Sequence, residues 1–135
     1  MLIRSKLSVV RQPAFWIIVL MIMAGSAFLA RISAQDSALH DRIYVVTHVD
    51  TLPGNGSGAK LLEQYVADSR KDKGAVRIEL LVQMSRTNHF SLVEVWENQQ
   101  AYDAHVAAAH TRLFREQIQP MLGSPFDERL HQIVE

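Results

Sequence analysis

The sequence predicts an α+β domain of the ferredoxin-like type, β-α-β-β-α-β, with a four-stranded antiparallel sheet and both helices on one face. Three observations predict it. Four short segments are rich in β-branched and alternating apolar residues. Two other segments repeat their apolar residues at helical spacing, and they separate the first strand from the second and the third from the last. Between the second and third strands there is only a short polar turn, the mark of a hairpin.

The first strand is "RIYVVTHVD" (42–50), bounded by Asp41 and by "TLPGNGSG", whose proline and glycines make a loop of 51–58. Residues 59–74 read as a one-sided helix with apolar positions 61, 62, 65 and 66, closed by Gly74 after a basic last turn. The second strand, 75–84, alternates, with Val76, Ile78, Leu80 and Val82 on one face. "SRTNH" reads as the turn and 90–96 as the third strand. Asn98 is a good N-cap for a helix running to about Leu122, stopped near Pro120 and Gly123, and 127–135 reads as the last strand. The first strand is apolar on both parities, Ile43, Val45 and Val49 against Tyr44 and Val46. Such a sheet needs cover on both sides. The helices supply one cover, so a second copy of the chain is expected to supply the other, giving a homodimer.

The N-terminus stands apart from this domain. Residues 1–13 hold Arg4, Lys6 and Arg11 and no acid, and Ala14 to Ala30 carry no charge. With small Ala34 before Gln35, residues 1–34 have the layout of a secretory signal, and cleavage is expected between Ala34 and Gln35. The rival reading is an uncleaved anchor, since 17 apolar residues lie at the lower edge of a membrane span. Both place the rest of the chain outside the cytoplasm, periplasmic, secreted or membrane-anchored. Residues 35–41 then form a short linker and 42–135 the domain. The chain has no Cys, which excludes disulfides and thiolate chemistry. From Gln35 onward there are ten basic against fourteen acidic residues, an acidic balance that argues against a nucleic-acid partner.

The stretch "LVEVWENQQAYDAHVAAAHTRLF" (92–114) gathers Trp96, Tyr102, His105, His110 and Phe114 across a strand-to-helix join. Three readings compete. On a straight helix, His105 and His110 are five residues apart and about 140° apart around the axis, so they do not share an ion and no metal site is expected. Alternatively the rings are plain core: Tyr102, Val106, Ala109 and Leu113 follow a buried-face stripe, and Trp96 shares a strand face with Phe90 and Leu92. The third reading is a small-molecule pocket, with Glu94 on the face of Trp96, His105 one turn from Tyr102, and His48 interrupting the first strand.

The motif E-x-W-E-x-x-x-A-Y-D-A-H-x-x-x-x-H-x-x-x-F, carried by Glu94, Trp96, Glu97, Ala101, Tyr102, Asp103, Ala104, His105, His110 and Phe114, resembles that of the antibiotic biosynthesis monooxygenase (ABM) domain family. It resembles the quinol monooxygenase-like members of that family in particular, and Gly74, Arg77, Glu79 and Leu80 resemble a second family pattern. The resemblance spans about 42–135. It implies a dimeric α+β barrel with a pocket between sheet and helices. It implies oxidation of a quinol or other hydroxyaromatic by O₂ with no metal, flavin or other cofactor. In that reading His105 or His48 is the base, Trp96, Tyr102 and Phe114 hold the substrate ring, and Glu94 and His110 complete the lining. Leu92 stands where anthrone-oxidising relatives place an Asn four residues before the Trp, a departure from their pattern. Alternatives on the same fold are a non-catalytic extracytoplasmic binding module, an isomerase and a haem-binding variant.

Overall fold

The computed structural model describes residues 39–54 and 56–134. The predicted signal segment lies outside the described residues. The elements are β1 (Ile43–Asp50), α1 (Gly56–Ser69), β2 (Ala75–Gln83), β3 (Arg86–Trp96), α2 (Gln99–Val106), α3 (Ala109–Ile118), a 3₁₀ turn (Gln119–Met121) and β4 (Asp127–His131). The sheet order is β2-β3-β1-β4 and every pairing is antiparallel, the arrangement expected from the sequence. Among the described residues, no helix is long and apolar enough to cross a membrane.

Register decides which side chains meet. In β1 and β3 the partners are Ile43 with Trp96, Val45 with Glu94, Thr47 with Leu92 and Val49 with Phe90. These pairs share one face, because side chains directly opposite in an antiparallel ladder point the same way. That face packs with Leu62, Tyr65 and Val66 of α1, Tyr102 of α2, and Phe114 and Ile118 of α3 into the core. On the other face lie Tyr44, Val46, His48, Leu81, Ser91 and Val93, with Leu81 about half exposed.

The first helix begins at Gly56 rather than 59 and the last strand ends at His131 rather than 135, and three further differences bear on the site. β3 begins at Arg86, so the hairpin loop is only Met84 and Ser85, and "RTNH" continues the strand. The strands re-enter register past an irregularity between Val82 and Gln83. α1 ends at Ser69, five residues early. There the Ser69 hydroxyl donates to the Tyr65 carbonyl at 2.8 Å, and the chain turns, with Lys71 and Asp72 donating to the carbonyls of Asp68 and Ser69.

The third difference matters most. The long second helix is broken into α2 and α3 at Ala107–Ala108, where Ala108 is extended (φ −65°, ψ 148°). Neither proline nor glycine causes it; two good helix formers are overruled by packing. The break resets the helical phase. Thr111, Phe114 and Ile118 turn inward, while Leu113, expected in the buried stripe, is 52% exposed. Asn98 caps α2 as predicted, accepting from the Ala101 N–H at 2.9 Å. Gly74 sits at φ +86°, and a Cβ there would lie 2.4 Å from Ala101 Cβ, so only glycine lets this corner approach α2.

Candidate functional site

His105 is the centre of the ring cluster and is 2% exposed. Its Nδ1 lies 2.7 Å from Asp72 Oδ2 and its Nε2 lies 2.8 Å from the Tyr65 hydroxyl. A carboxylate oxygen only accepts, so Nδ1 carries the proton and donates to Asp72. Nε2 is then the bare nitrogen, and it accepts from Tyr65. Burial lowers the His105 pKa below the ordinary imidazole range, against the opposing pull of Asp72. The result is a neutral imidazole of fixed tautomer with its basic nitrogen facing the core, the same device that orients a catalytic histidine by a carboxylate.

The surrounding groups are arranged on one ring face and at the basic edge. Trp96 stacks on the imidazole at 4.4 Å between centroids and 27° between planes. The Trp96 indole N–H donates to Glu94 Oε2 at 2.8 Å, and that oxygen is 4.0 Å from His105 Nε2. Burial raises the Glu94 carboxyl to about 7, while the indole N–H pulls the other way. A carboxyl there can hold or release a proton near neutral pH. Tyr65 has Phe114 stacked on it at 3.9 Å and 14°, and burial, with the Glu94 charge behind it, pushes its phenol well above the ordinary tyrosine range.

Tyr102 forms a separate arm. Its hydroxyl donates to Glu128 Oε1, and Arg115 Nη2 reaches both Glu128 oxygens at 3.0 and 2.8 Å. Burial, then the Glu128 hydrogen bond, raises its phenol. Its ring centroid is 6.5 Å from that of His105. His110 stands at the outer edge, Nε2 3.2 Å from Asp72 Oδ2 but buried without a hydrogen bond, because the approach is off-line.

The structure therefore gathers Glu94, Trp96, Tyr102, His105, His110 and Phe114 on one side of the sheet. It does not bring His48 to them. His48 is exposed on the opposite face, paired with Ser91, whose hydroxyl is 3.2 Å from its Nδ1. Period-two alternation sends it there, since Thr47 and Val49 take the core side. The cluster is also closed rather than open: a cavity of about 70 Å³ borders it, lined by Tyr65, His110, Phe114 and neighbours on α1 and α3, room for about two waters and no aromatic ring.

Sequence reasoning missed Tyr65 and Asp72. Tyr65 was read as part of the apolar stripe of the first helix, yet a buried phenol needs a partner for its hydroxyl. Asp72, inside "SRKDKG", falls in what reads as the basic last turn of the first helix. The spacing argument against a shared ion also fails. The break at Ala107–Ala108 brings the His105 and His110 rings to 5.6 Å, and one ligand atom each from Asp72, His105 and His110 lie within 4.8 Å of one another.

The class defined by these elements is a ferredoxin-like α+β domain with an oriented histidine among aromatic rings. Residues 42–117 match the antibiotic biosynthesis monooxygenase family, and the chain belongs to it. Among curated proteins none matches this chain. Solved structures with the same fold include a putative antibiotic biosynthesis monooxygenase from Nitrosomonas europaea (14% identity, 70% of this chain and 92% of that one, TM-score 0.66). Another is protein SO0527 from Shewanella oneidensis (22% identity, 70% and 92%, TM-score 0.64). A third is a mutant of SnoaB, a cofactor-independent oxygenase from Streptomyces nogalater (15% identity, 70% and 95%, TM-score 0.63). At these identities the likeness is one of fold.

Proposed function

We propose that the protein is a cofactor-independent monooxygenase that oxidises a quinol or related hydroxyaromatic with O₂. One observation carries this reading: the basic nitrogen of a carboxylate-oriented His105 already holds a phenol, that of Tyr65, with an aromatic ring, Phe114, stacked on it. Tyr65 thus occupies the position that a hydroxyaromatic substrate needs. Substrate entry displaces its hydroxyl from His105 and enlarges the small cavity beside it. His105 Nε2 takes the ligand's hydroxyl proton, and Asp72 steadies the imidazolium that forms. The electron-rich ring then reduces O₂, one oxygen atom entering the ring and the other leaving as water. Trp96 holds the imidazole plane, and Glu94, poised near neutrality, receives or returns a proton. We further propose that the domain is exported, which suits a quinone-type substrate near a membrane, and works as a homodimer whose partner covers the face of Tyr44, Val46 and Leu81.

The test is anaerobic mixing with a panel of hydroquinones, followed by oxygen uptake after air is admitted. Uptake that scales with protein and falls about 10²–10⁴-fold in His105→Gln supports the enzyme. Binding without uptake across the panel overturns it in favour of the binding module.

A further inference from the structure

The corner where α1 ends and the broken helix turns holds a second arrangement, which joins Asp72 and His105 of the proposed reaction to His110, which that reaction does not use. Asp72 Oδ2 stands 2.7 Å from His105 Nδ1 and 3.2 Å from His110 Nε2, and one ligand atom from each of the three residues lies within 4.8 Å of the others. Two tetrahedral ligands at about 2.0–2.1 Å from zinc sit about 3.3 Å apart. The Asp72–His110 pair already has that spacing, and the Asp72–His105 pair needs to open by roughly half an ångström, replacing a hydrogen bond by an ion. His110 Nε2 adds an independent observation: it is buried and makes no hydrogen bond, an arrangement that leaves its lone pair or proton unsatisfied. The Asp72 and His110 side chains are 23% and 27% exposed, so a fourth position is open to water.

We propose that Asp72, His105 and His110 form a binding site for a divalent transition cation of the zinc type, and that an ion there switches off the base. Two imidazoles and a carboxylate are the donor set of such ions, while calcium and magnesium prefer oxygen throughout. The inhibitory step follows from the tautomer. A neutral imidazole bound to a cation through Nδ1 keeps its proton on Nε2. That N–H then donates to the Tyr65 oxygen, 2.8 Å away, with the Glu94 carboxyl 4.0 Å off as a further acceptor. The nitrogen that takes the substrate proton in the cation-free protein is therefore blocked. The binding half stands on geometry alone; the inhibitory half rests on the reading of His105 as the base.

Zinc chloride titrated into the full chain, followed by competition with a chromophoric chelator, should give one ion per chain with micromolar or tighter affinity. Cobalt(II) in its place should give the visible absorption of a four-coordinate centre. His110→Ala, on a partly exposed side chain, and the isosteric Asp72→Asn should each weaken zinc at least tenfold while retaining a folded circular-dichroism spectrum. No binding by the wild type, or binding that both variants retain in full, overturns the site. For the second half, oxygen uptake with an active hydroquinone should fall as zinc fills the site and recover with chelator. Unchanged uptake at saturating zinc, or uptake that rises with iron(II), overturns the inhibition. Should no hydroquinone be oxidised at all, the function proposed above fails and the chelator competition still decides the site.

Discussion

Replacing Glu94 by Gln should stabilise the protein at neutral pH, by an amount that grows with pH in one direction only. Glu94 is 3% exposed, and burial raises its carboxyl from the ordinary 4.5 to about 7. Between those values the unfolded chain ionises while the folded one stays protonated, so the folded state loses ground as pH rises through this window. Below it the group contributes no penalty; above about pH 7 the whole penalty is present. At about 1.4 kcal/mol per pH unit, the interval is worth about 3–4 kcal/mol as an upper bound. Gln keeps the shape and an oxygen for the Trp96 indole N–H, which is 2.8 Å away, and cannot ionise. Urea unfolding of both proteins from pH 4 to 8.5 reads the effect, and the difference between them cancels every other titrating group. The stability difference should be smallest at pH 4, climb between about 4.5 and 7, and level off above. For a domain of this size the plateau corresponds to a melting point higher by about 10–20 °C. A difference that does not vary with pH refutes the reasoning, because it means that Glu94 ionises as readily folded as unfolded.

Tyr65→Phe removes the hydroxyl that occupies His105 Nε2 and keeps the ring on Phe114; KM should fall and kcat stay within about threefold, whereas a kcat loss beyond about 10²-fold in steady-state oxygen uptake makes Tyr65 a proton relay instead. Gly74→Ala meets both a positive φ and Ala101 Cβ at 2.4 Å, and should lower stability by at least about 2 kcal/mol in a denaturant melt; a loss under about 0.5 kcal/mol refutes the packing account. Light scattering on the expressed domain should return twice the chain mass; a monomer at micromolar concentration leaves Leu81 and its neighbours without their proposed cover. Terminal sequencing of exported protein should begin at or near Gln35, and an intact Met1 in a membrane fraction favours the anchor.

The fold was legible because its signals are local. Alternation fixed β2, the β-branched run fixed β1, and Asn98 capped its helix as its side chain dictates. Glu94, Trp96, Tyr102 and His105 could be grouped for the same reason, whereas Tyr65, equally on a helix, reads as one more apolar position of its stripe. His48 was not, since a polar residue within an apolar strand reads alike whether it faces a pocket or solvent. Only the partner strand's register settles it, through Ser91.

What the sequence hid is concentrated in two irregular places. α1 stops at Ser69 although "RKDK" could extend it, and the Ala-rich helix breaks at Ala107–Ala108 although nothing local asks it to. Each break forgoes helix that local propensity favours, and each delivers a polar group to the same histidine. The first frees Asp72 from a helical surface to reach His105 Nδ1 at 2.7 Å; the second swings His110 and Thr111 back over that nitrogen's side, Thr111 Oγ1 at 3.4 Å. A sequence optimised for stability alone has no reason to do this, since a straight helix with Leu113 buried satisfies the apolar stripe. Two conflicts between local preference and tertiary structure around one buried, carboxylate-oriented imidazole support the proposal that His105 is the centre of the site. Of the rings of residues 92–114, Trp96 stacks on His105, Phe114 stacks on the Tyr65 that bonds to the same histidine, and Tyr102 stands apart on Glu128.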